Sequence, residues 1–178
     1  PDQEKLVATA LNNLGTVLNH RAQYARAQSS YEEALALFRK LGSRYDEAIT
    51  LNNIAQNYDS QSRYAEATPL YEQALAVHRD AGDRAGVATV TENLAGQDAA
   101  QGRYAQALTR YEEALATFRE LGLLYQQAVG LSNLATLYAT LGRYDEARSR
   151  YEQALSLRRG LGDRAGEGVL TGNLAALD

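Results

Sequence analysis

The chain has 178 residues, no Cys, Met or Trp, and a formal net charge of −4. No apolar run approaches the roughly eighteen residues of a membrane-spanning helix, and without Cys neither disulfides nor thiolate metal sites can form. A slightly acidic chain with only two lysines, Lys5 and Lys40, lacks the clustered positive charge that nucleic acid requires.

Self-similarity organises everything that follows. A period of forty residues divides the chain into 5–44, 45–84, 85–124 and 125–164, with a partial unit at 165–178. In chain order the spacing predicts helices over 4–19, 24–40, 44–59, 64–80, 84–100, 104–120, 124–140, 144–160 and 165–177. In the fourth unit Ala128, Leu131, Leu134, Ala135 and Tyr138 recur at helical intervals, then Leu141-Gly142-Arg143 interrupts. Tyr144, Ala147, Tyr151, Ala154 and Leu155 then form the apolar face of a second helix. Gly42, Gly82, Gly122 and Gly162 close the units, where glycine can adopt the left-handed conformation that ends a helix. Nothing alternates with period two, so no strand is expected.

Fixed columns run through the units. Tyr31, Tyr71, Tyr111 and Tyr151 form one, and Tyr24, Tyr64, Tyr104 and Tyr144 another. Ala27, Ala67, Ala107 and Ala147 form a third, and Ala34, Ala74, Ala114 and Ala154 a fourth. Small side chains at fixed positions allow helices to approach closely, and larger neighbours fill the gaps. The tyrosines accordingly read as packing residues with hydroxyls at the solvent edge or on a turn carbonyl. A second period of eighty residues pairs Tyr45 with Tyr125, Tyr58 with Tyr138, and Asp83-Arg-Ala-Gly86 with Asp163-Arg-Ala-Gly166. Two positions depart from their columns: Pro69 falls inside a helix, and Gly96 replaces Thr16, Gln56 and Thr136.

The most regular column is polar. Asn13, Asn53, Asn93, Asn133 and Asn173 recur at forty-residue intervals, each followed by Leu or Ile and then by Gly or Ala. Asparagine is a mediocre helix former, so its retention needs a cause. Its amide offers an acceptor and two donors, suited to gripping a peptide backbone. The alternative is a hydrogen bond to a neighbouring helix, and one amide can do both.

Catalytic and metal chemistry find little support. His20 and His78 stand in different columns, and His78, in the place of Phe38 and Phe118, reads as a partly buried or edge residue. No His or carboxylate has ligand spacing, no serine has a recurrent base, and Leu-Gly-Asp-Arg reads as a turn rather than a phosphate loop. Arg39, Arg79, Arg119 and Arg159 sit near helix C-termini, where they complement the dipole. No metal, cofactor or enzymatic activity is expected.

Asn-Leu-Ala-x-x-Tyr, Gly-Arg-Tyr-x-x-Ala and Tyr-Glu-x-Ala-Leu together resemble the tetratricopeptide repeat over essentially the whole chain. The forty-residue period is similar to the longer-helix subgroup found in LGN/Pins adaptors, kinesin light chain and bacterial STAND-type or AfsR-like regulators. The resemblance implies an all-α fold, a single right-handed α-solenoid of antiparallel helix pairs with about four and a half repeats. First helices would line a concave groove and second helices the convex back. The Asn column would then face the groove with Asn12, Asn52, Glu92 and Ser132 beside it and Thr16, Gln56 and Thr136 one turn later. Asn19, Asp59, Ala99 and Ala139 lie further along. None of these positions carries Lys or Arg, unlike family members that clamp a C-terminal carboxylate. The expected function is a non-catalytic scaffold holding an extended or helical peptide in a neutral polar groove. The alternative is a regulatory or self-assembly segment of a larger signalling ATPase or transcriptional regulator, stacking on its own chain or another copy. A chain opening at Pro1 without Met suits such a fragment. Expected partners are a protein or peptide and, through exposed ends, another copy, but neither nucleic acid nor membrane. The expected location is cytoplasmic. Arg-over-Lys usage with abundant Ala and Gly hints at a GC-rich bacterial source.

Overall fold

A computed structural model describes residues 2–177. Among the described residues the chain forms nine α-helices and no strand: α1 (Asp2–His20), α2 (Tyr24–Lys40), α3 (Arg44–Asp59), α4 (Tyr64–Asp80), α5 (Arg84–Ala100), α6 (Tyr104–Glu120), α7 (Leu124–Thr140), α8 (Tyr144–Gly160) and α9 (Arg164–Ala175). Consecutive helices pair antiparallel, with α1 on α2, α3 on α4 and α7 on α8 in the most extensive contacts. The helices group into two compact units, Pro1–Val90 and Thr91–Asp178, and the division falls within α5.

One backbone device makes the turns. At Gly42 the amide donates to the Arg39 carbonyl, and the next amide, Ser43, reaches back to Phe38. This paired closure satisfies carbonyls that a helix end would otherwise leave open. It requires a left-handed residue, and Gly42, Gly82, Gly102, Gly122, Gly142 and Gly162 all have φ between 66° and 75°. Ala22 and Ser62 occupy the same seat with φ of 55° and 58° and make the same pair of bonds. Pro69 lies on the exposed side of α4, which continues through it.

The alanine columns do what their size permits. Ala27, Ala67, Ala107 and Ala147 are completely covered, as are Ala34, Ala74 and Ala154, with Ala114 nearly so. In the second unit Tyr111, Leu115, Leu131, Leu134, Tyr138, Tyr151 and Leu170 fill the space around them. In the first, Ala8, Ala34 and Phe38 form a cluster backed by Leu11 and Leu37. The tyrosine expectation needs correcting by column. Tyr31, Tyr71, Tyr111 and Tyr151 are buried, whereas Tyr104 and Tyr144 are exposed. The buried hydroxyls turn inward to first-helix side chains rather than to solvent or a turn carbonyl. Tyr31 donates to Thr16 at 3.2 Å, Tyr71 to Asp59 at 2.8 Å, and Tyr151 shares a 2.8 Å bond with Thr136. Burial raises the Tyr31 and Tyr71 pKa values, and the neighbouring Asp59 carboxylate pushes Tyr71 further.

The eighty-residue period has a physical basis. His78 is 3% exposed, not an edge residue. Its Nδ1 lies 2.8 Å from Asp83, and its ring meets Tyr45 edge-on at 6.0 Å. Arg158 repeats the arrangement with Asp163 and lies 4.3 Å over the Tyr125 ring. Each aspartate also accepts from a backbone amide of the next helix, Gly86 or Gly166, at 2.9 Å. These amide and guanidinium contacts hold the Asp163 carboxyl below its ordinary value. A Cβ at Gly86 would run into His78 and Asp83, so the glycine is required by the imidazole above it. Where Phe38 and Phe118 replace the His or Arg, the aspartate and the glycine are absent as well.

Candidate peptide-binding face

The asparagine column lies along the first helices of the repeats, α1 and α3 in one unit and α5, α7 and α9 in the other. Asn13 is exposed, and Asn53, Asn93, Asn133 and Asn173 are half-buried. Two rungs show their bonding directly. Asn53 Nδ2 donates to Asn12 Oδ1 at 3.0 Å, and Asn133 Nδ2 donates to Glu92 Oε1 at 3.1 Å. In both cases the acceptor stands one residue before the preceding rung. These two rungs tie α3 to α1 and α7 to α5. An amide that spends one N–H sideways keeps its second N–H and its carbonyl oxygen for something else.

The neighbouring column departs from the open lining that the sequence suggests. Asn12, Asn52 and Glu92 are buried, Asn12 and Glu92 serving as acceptors for the next rung, while Ser132 is half-buried. Among the positions one turn later, Thr16 is half-buried beneath Tyr31, Gln56 is half-buried and Thr136 is exposed. Asp59 is half-buried and bonded to Tyr71.

Glu92 is the electrostatic exception. The equivalent Asn12 and Asn52 are neutral, but Glu92 places a carboxyl at this position with 8% exposure. Desolvation raises its pKa from 4.5 to about 7, against a smaller lowering by the Asn133 donor. Tyr111, nearby, is pushed up to about 12 by burial and by the Glu92 charge.

Sequence reasoning passed over a second buried acid. Asp98, 1% exposed, pairs with Arg103 at 2.7 Å and with Arg110. A signal existed: Asp98 occupies the column of Tyr58 and Tyr138, five residues before an arginine in each case. Arg63 covers the Tyr58 ring at 4.5 Å and Arg143 the Tyr138 ring at 4.4 Å. One arginine column thus covers either an aromatic face or a carboxylate. Among the described residues no three His or carboxylate groups come together as metal ligands would, and no helix is long and apolar enough to cross a membrane.

Stacked antiparallel helix pairs carrying a repeated polar row define a helix-pair repeat protein, a class built for interaction with other proteins. A family model for the tetratricopeptide repeat matches residues 6–80, 86–160 and 126–177, and the chain belongs to that family. Among solved structures it is similar to BtubC (BKLC) from P. vanneervenii at 26% identity, covering 99% of this chain and 74% of that one, with a TM-score of 0.81. It is also similar in fold to a Rap protein complexed with Competence and Sporulation Factor, at 19% identity and a TM-score of 0.81, covering 98% of this chain and 54% of that one. A third is a structure of nearly identical TPR-like repeats of kinesin-light-chain type from Podosopora anserina, at 17% identity, TM-score 0.67 and coverage of 98% and 95%. No curated protein matches the chain.

Proposed function

We propose that the chain is a non-catalytic scaffold that holds an extended or helical peptide along the face of its first helices, with the asparagine column gripping the ligand's main chain. One observation carries this reading. Asn53 and Asn133 are fixed by a single sideways hydrogen bond, which orients each amide while leaving its oxygen and second N–H uncommitted. Donors held in place beforehand lose little entropy when a ligand arrives. The flanking residues Thr16, Gln56, Ser132 and Thr136 carry no charge, and the acids Glu92 and Asp59 are bonded within the fold to Asn133 and Tyr71. The ligand is therefore held through polar main-chain contacts rather than ion pairs, and its binding depends only modestly on salt.

The test is the combined replacement of Asn53, Asn93 and Asn133 by Ala, with peptides selected on the wild-type chain from a displayed random library. Affinity should fall by at least about tenfold per lost pair of hydrogen bonds. Measurement at a temperature where circular dichroism shows the variant fully helical separates grip from fold. Unchanged affinity in a folded variant removes the asparagines from the function.

A second reading, a segment that stacks on its own chain or another copy, draws on α1. Leu6, Val7, Leu14 and Val17 are exposed there, although the positions equivalent to Leu14 and Val17 in α3, Ile54 and Asn57, are buried. An apolar face of this size on one helix is costly in water. A light-scattering mass of one chain at high concentration would exclude the self-stacking form.

A further inference from the structure

The tyrosine hydroxyls single out the third repeat. Thr16, Asp59 and Thr136 satisfy Tyr31, Tyr71 and Tyr151. The third repeat lacks both kinds of acceptor: Gly96 stands in the column of Thr16 and Thr136, and Ala99 in the column of Asp59. Tyr111 nevertheless remains 7% exposed. Its hydroxyl lies against Gly96, where an added Cβ would sit 3.3 Å away, and it has lost the Thr and Asp acceptors that the other repeats supply at these columns. A donor that faces a surface cleft rather than a neighbouring helix is available to a ligand.

The lost side chains leave space. Tyr111, Ala99, Tyr104, Asn133, Thr136 and Thr140 line a cleft of about 270 Å³, which gives room for one side chain. Asn133 belongs to the proposed binding row, so the cleft opens on the face that would hold a peptide. Its chemistry is selective. No Lys or Arg lines it, and the Glu92 carboxyl beside Asn133 disfavours an anion. Tyr111 Oη supplies a donor. Asn133, whose Nδ2 is directed at Glu92, supplies the acceptor Oδ1. A neutral group with one acceptor and one donor in a plane satisfies both.

We propose that this cleft is a specificity pocket for a primary carboxamide, the side chain of a Gln or Asn in the bound peptide. The amide oxygen accepts from Tyr111 Oη, and the amide NH2 donates to Asn133 Oδ1. The inference rests on the peptide-binding reading above and adds to it one side-chain preference at one repeat.

Two measurements test it separately from that reading. The first follows the Gly96 backbone amide and the Asn133 side-chain amide by NMR during titration with N-acetyl-glutamine methylamide. Saturable shifts at both are expected, with about tenfold weaker binding of the glutamate and norleucine analogues. Gly96→Thr restores the hydroxyl present in the first and fourth repeats, gives the Tyr111 hydroxyl a partner within the fold and should abolish the shifts. Tyr111→Phe keeps the shape and should bind the glutamine and norleucine probes alike. Gly96 resonances unmoved by the glutamine probe, or a Gly96→Thr variant that binds it as the wild type does, overturn the proposal. The second selects peptides from a displayed random library on the wild type and on Gly96→Thr. A Gln or Asn preference at one position on the wild type, lost on the variant, supports the pocket. Peptides that bind both equally without that preference overturn the pocket while the peptide-binding reading stands. A library without binders, with the glutamine probe still seated at Gly96, overturns the peptide reading and supports the carboxamide site.

Discussion

Replacing Glu92 by Gln tests whether the contact between neighbouring rows is built for an amide or a carboxylate. Asn12 accepts from Asn53 as a neutral amide, whereas Glu92 accepts from Asn133 as an acid whose folded-state pKa is raised from 4.5 to about 7. Below about pH 4.5 the carboxyl is protonated in both folded and unfolded chains, and the fold carries no penalty. As pH rises through 7 the folded chain must ionise a buried group, and that stability is lost. The gap from 4.5 to about 7, at about 1.4 kcal/mol per tenfold, amounts to about 3 kcal/mol. Gln retains an acceptor for Asn133 but adds an NH2 that needs a partner, at a cost of about 1 kcal/mol. The variant should therefore be about 2 kcal/mol more stable than the wild type near pH 8 and equal or slightly weaker near pH 4. Urea denaturation followed by far-ultraviolet circular dichroism at the two pH values measures the difference, and titrations common to both proteins cancel. A difference that stays constant between the two pH values would refute the assignment of a buried, near-neutral carboxyl.

Two further outcomes follow from the buried acid and the turns. Asp98→Ala leaves Arg103 and Arg110 without their shared carboxylate and should lower stability by about 2–3 kcal/mol. Asp98→Tyr, which copies the ring beneath Arg63 and Arg143, should recover part of that loss in the same denaturation assay. Ala22→Gly and Ser62→Gly relieve a side chain in the left-handed region and should each raise stability by about 0.5–1 kcal/mol, after allowing for the freer unfolded chain. Thermal melting of the double variant checks this, and a lowered midpoint would contradict it.

Much of the architecture was legible from spacing alone. The bounds read for α2 through α8 coincide with those observed, and α1 and α9 differ only by a residue or two at their ends. Glycine marks most turns because the left-handed seat penalises any Cβ. The turns at Ala22 and Ser62 were recovered only because their neighbours keep the period. The candidate site was half legible. The asparagine column could be counted, but not the direction in which each amide points. The burial of Asn12 and Glu92 depends on the helix that covers them, which lies forty residues away in sequence.

The amino-acid sequence by itself determined the repeat length, the helix bounds, the alanine contacts and the polar row, because each follows from local conformational preference multiplied by a strict period. Only the tertiary structure decided what the columns meet. It showed that the alternating polar side chains His78 and Arg158 explain Asp83, Asp163 and the glycines that follow them. It also showed that Gly96 and Ala99 together leave the Tyr111 hydroxyl facing an open cleft. Period analysis treats such exceptions as drift, since the acceptor lost at one position matters only through a side chain packed against it from another helix.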